Sequence, residues 1–101
     1  MNEATKAYNE KIRAELQKAK SQLAELEARS KDEDEQVALH LVNQLKRTHH
    51  EIDKKREQIE TSATEEIKQE QAEINAGITK LRKGLAELDR RLNAERHKKV
   101  S

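Results

Sequence analysis

Cysteine, proline, phenylalanine and tryptophan are absent from the sequence, glycine occurs twice, and Tyr8 is the single aromatic residue. Each absence removes a class of protein. Without cysteine there is no disulfide scaffold, no zinc ribbon and no thiol nucleophile. Long apolar runs are missing as well. A membrane-spanning helix needs about 20 consecutive apolar residues, and no run here approaches that length. The N-terminus lacks the apolar core of a secretory signal, which makes the cytoplasm the expected compartment. An excess of one charge is also missing: 21 basic and 20 acidic residues leave a net charge of +1. What is present is a chain of 101 residues, 41% charged and 33% hydrophobic, a composition that fits long helices in a single domain over 1–101 better than a disordered tail.

The apolar residues recur at helical spacing. In the first third, Tyr8, Ile12, Leu16, Ala19, Leu23 and Leu26 step by threes and fours. The middle third reads Leu41, Leu45, Thr48, Ile52, Lys55 and Ile59. The last third is the cleanest, with Ile67 leading to Ile74, Ile78, Leu81, Leu85, Leu88 and Leu92. Alternating steps of three and four form the narrow seam of a left-handed coiled coil rather than the wider face of a globular helix. No stretch alternates apolar with polar as a half-buried strand does, so the fold class is all-α.

Two junctions divide the pattern. Ser30-Lys31-Asp32-Glu33-Asp34-Glu35-Gln36 has no apolar side chain and offers Asp residues to cap a new helix. At 60–66 the seam changes phase by about one residue's rotation, roughly 100°. Thr61 or Ser62, with Glu65, offers a capping box there. The expected architecture is an antiparallel three-helix coiled-coil bundle with helices near 3–30, 35–60 and 64–97 and a frayed end at 97–101. The alternative is a hairpin whose second and third helices fuse into one rod that pairs antiparallel with another chain. Charge supports either alignment. The segments 1–31, 32–36, 37–56, 57–79 and 80–101 carry +2, −4, +3, −5 and +5, so an acidic first turn meets a basic end of the third helix. The seam is narrow for the length of chain it must order, and a second chain would add burial, so self-association is expected.

Chemistry finds little footing. His49, Asp53 and Glu57 lie a turn apart and form a His-carboxylate face, for which ordinary solvated pairing is the simpler account. Stronger metal signatures fail. No Glu stands three residues before any His, as di-iron bundles require, and His50-Glu51-Ile52-Asp53-Lys54 places Lys where a zinc-protease helix needs its second His. No glycine-rich phosphate loop occurs, and a narrow rod offers no ligand cavity. No cofactor, metal or catalytic residue is therefore assigned, and the chain is read as a non-enzyme.

Gly77 and Gly84 lie seven residues apart and share one helix face. Each costs about 1 kcal/mol against alanine inside a helix. The plain account is tolerated surface glycine; the sharper one is a stripe facing a partner helix, since glycine lets backbones approach. Basic clusters at 46–47, 54–56 and 90–91 mix with acids. Arg90, Arg91, Arg96, Lys98 and Lys99 form the one basic surface that nucleic acid would use, without any aromatic side chain for base stacking. The segment 74–92 is amphipathic with basic flanks, but a partner helix is a simpler destination for its stripe than a membrane surface. Thr48, Lys55 and Gln71, polar residues on the seam, are candidates for setting register. The functional expectation is a coiled-coil interaction or oligomerisation module, an adaptor, chaperone-like or scaffold protein, with a protein partner or itself. The alternative is a nucleic-acid-associated accessory protein that uses the basic C-terminal end.

Overall fold

In the computed structural model the described residues are 3–62 and 64–100, without the side chains of 64 and 95–100. Three helices follow one another: α1 (Glu3–Asp32), α2 (Gln36–Ile59) and α3 (Thr64–Val100). They pack on each other as an all-α bundle measuring 55 × 18 × 16 Å. No strand occurs among the described residues. The expected helix bounds hold to within three residues at each end. α3 runs to Val100 through the stretch expected to fray at 97–101, and Ser101 and the side chains of Arg96, Lys98 and Lys99 fall outside what is described.

Contacts fix the directions. Along α1 and α3 the partner numbers rise together: Tyr8 with Asn75, Glu15 with Arg82, Arg29 with Asp89. Between α1 and α2 they run oppositely: Asn9 with Arg56 and Glu60, Leu16 with His49, Glu27 with Lys46. Lys55 with Glu73 and Glu35 with Arg91 show the same opposition between α2 and α3. The helices therefore run up, down and up. The fused-rod alternative is overturned, because the chain turns between Ile59 and Thr64.

The first turn closes by a backbone device rather than by the Asp cap expected of it. Glu35 N–H donates to Ser30 O at 3.1 Å and Asp34 N–H to Lys31 O at 3.1 Å. That pair of bonds, with Asp34 at φ 49°, is a Schellman motif whose left-handed position holds Asp instead of the usual Gly. Glu35 then caps α2, its carboxylate accepting from Val37 N–H at 3.1 Å. Ser30, read as a turn residue, is instead fully buried in the last turn of α1, where its hydroxyl donates to Leu26 O at 2.8 Å.

The second turn tightens into i→i−3 bonds from Glu60, Thr61 and Ser62. Ser62 does not join the capping box with Glu65. Its hydroxyl lies 2.8 Å from Gln58 O and 2.7 Å from both Glu70 carboxylate oxygens, tying the end of α2 to the second turn of α3. Charge at the helix ends also complements the dipoles, with Glu3, Glu65 and Glu66 in first turns and Arg29, Lys31 and Arg56 in last turns.

The core follows the seams of α1 and α3 closely. Ile12, Leu16, Ala19, Leu23 and Leu26 are buried, as are Ile74, Ile78, Leu81, Leu85, Leu88 and Leu92, while Tyr8 and Ile67 pack against them half-buried. In α2 the buried line is shifted. Ala38, Val42, Leu45, Ile52 and Ile59 face inward, and Leu41, Thr48 and Lys55 are half-buried on the side toward α3. The inward line passes through His49 and Arg56, each of which finds a partner on α1.

Candidate functional site

Most of the titratable side chains named in the sequence are committed to the bundle. His49 turns toward α1, its Nε2 2.9 Å from Leu16 O. A carbonyl only accepts, so Nε2 carries the proton. Asp53 accepts from Arg56 Nε at 2.9 Å, and Glu57 lies 3.8 Å from Arg56 Nη2. The three residues of the His-carboxylate face thus serve three different contacts. No group of three or more His, Cys, Asp or Glu able to hold a metal ion occurs among the described residues.

Arg56 anchors a polar knot at the end of the bundle near the second turn. Its side chain is 12% exposed, and Nη1 donates to Asn9 Oδ1 at 3.1 Å while Asn9 Nδ2 reaches Glu60 Oε1 at 3.3 Å. Asn9 and Thr5 are themselves buried. Burying polar groups is tolerated only when they are hydrogen-bonded, and this network supplies Asn9 with partners from α2 and its C-terminal cap. Beside it, Tyr8 Oη lies 2.7 Å from Asn75 Oδ1 and 3.1 Å from Gln71 O. Burial pushes the Tyr8 hydroxyl pKa upward, and the charge of Glu15 adds to the rise. Gln71, a seam candidate, thus contributes its backbone carbonyl.

The basic clusters are largely paired within the chain. Lys46 meets Glu27, Lys55 meets Glu73 at 3.0 Å, and Arg82 meets Glu15 at 2.7 Å. Arg90 lies 3.5 Å from Glu87 and Arg91 3.7 Å from Glu35, so the two described members of the basic C-terminal surface both have acidic neighbours. The hydrogen bond from Lys46 lowers the Glu27 pKa below the ordinary carboxylate range, with the charges of Lys46 and Lys31 in support against the burial of the carboxyl.

The glycine stripe faces α2 of the same chain. A Cβ added at Gly77 would stand 2.8 Å from Ile52 Cγ1, and one added at Gly84 would overlap Leu45 Cδ2. The close approach expected of these glycines is made within the bundle, not by an outside partner. Beside Gly84 lies a surface groove of about 440 Å³ between α2 and α3, lined by Leu41, Leu45 and Gly84 together with Arg47, Glu51, Lys80 and Glu87. One turn before Leu41 on the same line stands Val37, 48% exposed and the sole exposed large hydrophobic residue among those described. The spacing pattern does not show this groove, because Leu41 both packs against the core and lines the groove. The outward line 37, 41, 44, 48 was the available signal.

No described helix is long and apolar enough to cross a membrane. No family model, curated protein or solved structure matches the chain.

Proposed function

We propose that the chain is a non-enzymatic helical module for interaction and oligomerisation, of adaptor or scaffold type, acting through the outer faces of its helices. The observation that carries this reading is the outward line of α2. The core on α2 is filled by Ala38, Val42, Leu45, Ile52 and Ile59, yet Val37 is left 48% exposed one turn before half-buried Leu41, which lines an open groove. Isolated exposed apolar residues are ordinary; a pair one turn apart beside a groove with a charged rim is the arrangement in which a helix docks.

The chain immobilised as bait, with free chain as competitor, tests the reading. Saturable capture of a helical partner or of itself is expected, weakened by Val37→Asp. Capture that is equal for wild type and variant, together with a strictly monomeric chain in light scattering, would overturn it. The rival reading predicts retention on DNA or heparin that falls steeply with salt. The ion pairs of Arg90 and Arg91 lend it no support.

A further inference from the structure

We propose that the first turns of α1, residues 3–11, form a strap that opens from the bundle as a unit and uncovers Ile59 of α2 and Ile74 of α3. The strap is a conformational device beyond the interaction-module reading, and its opening does not depend on the outward line of α2.

What holds the segment is polar. Before Ile12, α1 buries only Thr5 and Asn9; Tyr8 is half-buried, and Ala4 and Ala7 are exposed. α2, by contrast, begins with buried Ala38 and Val42 and ends on buried Ile59. A contiguous stretch with few buried apolar contacts opens at a lower free energy than the core. Ile12 sets the boundary at 2% exposure, and the buried line continues from it through Leu16, Ala19, Leu23 and Leu26.

The contacts of the strap place it over two isoleucines. Asn9 accepts from Arg56 at 3.1 Å and donates to Glu60 at 3.3 Å, and Ile59 stands between those two residues on α2. Tyr8 reaches Gln71 O at 3.1 Å and Asn75 Oδ1 at 2.7 Å, and Ile74 stands between those two on α3. Ile59 is 1% exposed and Ile74 0%, so the apolar surface that α2 and α3 present at this end is closed off by a segment that brings no aliphatic anchor of its own. Water replaces the hydrogen bonds of Asn9 and Tyr8 when the segment leaves, so they oppose its opening only weakly. Glu3, Lys6, Glu10 and Lys11 add no ion pair among the described residues.

The absence of cysteine makes the opening measurable. Ile59→Cys and Leu88→Cys each place a single thiol at a buried site, the first under the strap and the second, at 0% exposure, in the closed part of the core. Circular dichroism verifies that each variant folds. Under native conditions the Ile59→Cys thiol is expected to react with a thiol reagent at least about tenfold faster than the Leu88→Cys thiol, the effect of 1.4 kcal/mol. Asn9→Ala, added to each variant, is expected to widen that ratio. Equal rates overturn the strap. Tyr8, the only aromatic residue, reports the same event without a substitution in the core. The strap is nine residues beside helices of 30, 24 and 37. In urea, tyrosine fluorescence is therefore expected to change while far-UV circular dichroism keeps about nine-tenths of its signal. A tyrosine transition that coincides with the loss of helix overturns the independent opening.

Discussion

Gly77→Ala and Gly84→Ala are the same chemical change on the same helix face, seven residues apart, and the surroundings of the two glycines give them different outcomes. Alanine gains about 1 kcal/mol over glycine in a helix interior, and both sites share that gain. The difference lies in what the new methyl meets. At Gly77 it meets Ile52 Cγ1 at 2.8 Å and Cδ1 at 3.1 Å. Ile52 is buried, and its β-branched side chain is held to one favoured χ1 rotamer in a helix, so Cγ1 cannot swing away. Overpacking of this kind costs about 1–3 kcal/mol. At Gly84 the collision is with Leu45 Cδ2, the far end of a flexible side chain, and the adjoining groove of about 440 Å³ lies open to receive it. Gly77→Ala is expected to be neutral to destabilising by about 2 kcal/mol, and Gly84→Ala neutral to stabilising by up to about 1 kcal/mol. Thermal unfolding followed by far-UV circular dichroism resolves this, since 1 kcal/mol moves the midpoint by about 4–8 °C in a domain near this size. Equal stabilisation by both substitutions would refute the packing argument and reduce the glycines to plain weak points of the helix.

Asp34→Gly should raise stability by about 0.5–1 kcal/mol, because Asp34 holds the left-handed position of a Schellman motif that carries a penalty for every residue with a Cβ; urea unfolding measures it, and a loss of stability would contradict the motif. Arg56→Ala should cost about 1–3 kcal/mol by stranding buried Asn9, whereas exposed Lys54→Ala should stay within about 0.5 kcal/mol. The Glu27 carboxyl has a folded pKa below its ordinary value, so its contribution to stability is present above the unfolded pKa of about 4.3 and is lost as pH falls through the folded one. Glu27→Gln should therefore make the acid limb of the stability curve shallower and leave its slope at neutral pH unchanged.

The seams of α1 and α3 were legible because one line of apolar residues dominates each helix and no neighbouring line competes. α2 offered two adjacent lines. Leu41, Thr48 and Lys55 keep the three-four rhythm as well as Val42, His49 and Arg56 do, and periodicity cannot choose between polar residues on either line. The choice is made by partners far away in sequence: Leu16 O for His49 and Asn9 for Arg56. The same reason hides the burial of Thr5 and Asn9, since a polar residue is buried where a hydrogen-bond partner awaits it and local sequence does not name that partner. The first turn was legible as a turn. Its chemistry was not, because an Asp four residues past Ser30 reads as a cap and instead adopts the backbone conformation that usually falls to glycine. The groove was hidden by the same ambiguity in α2, for Leu41 is half-buried against the core and lines the groove as well.

An odd number of helices has a consequence for how this body can be joined to anything else. Up, down and up leaves Glu3 and Val100 at opposite ends of a 55 Å rod. Closing the chain on itself would take at least about 16 fully extended residues at ~3.4 Å each, so a circular permutant with a short linker could not form this bundle. Groups attached at the two ends are held apart by the length of α3, and the helix pair α1–α3, running parallel, acts between them as a ruler rather than a hinge.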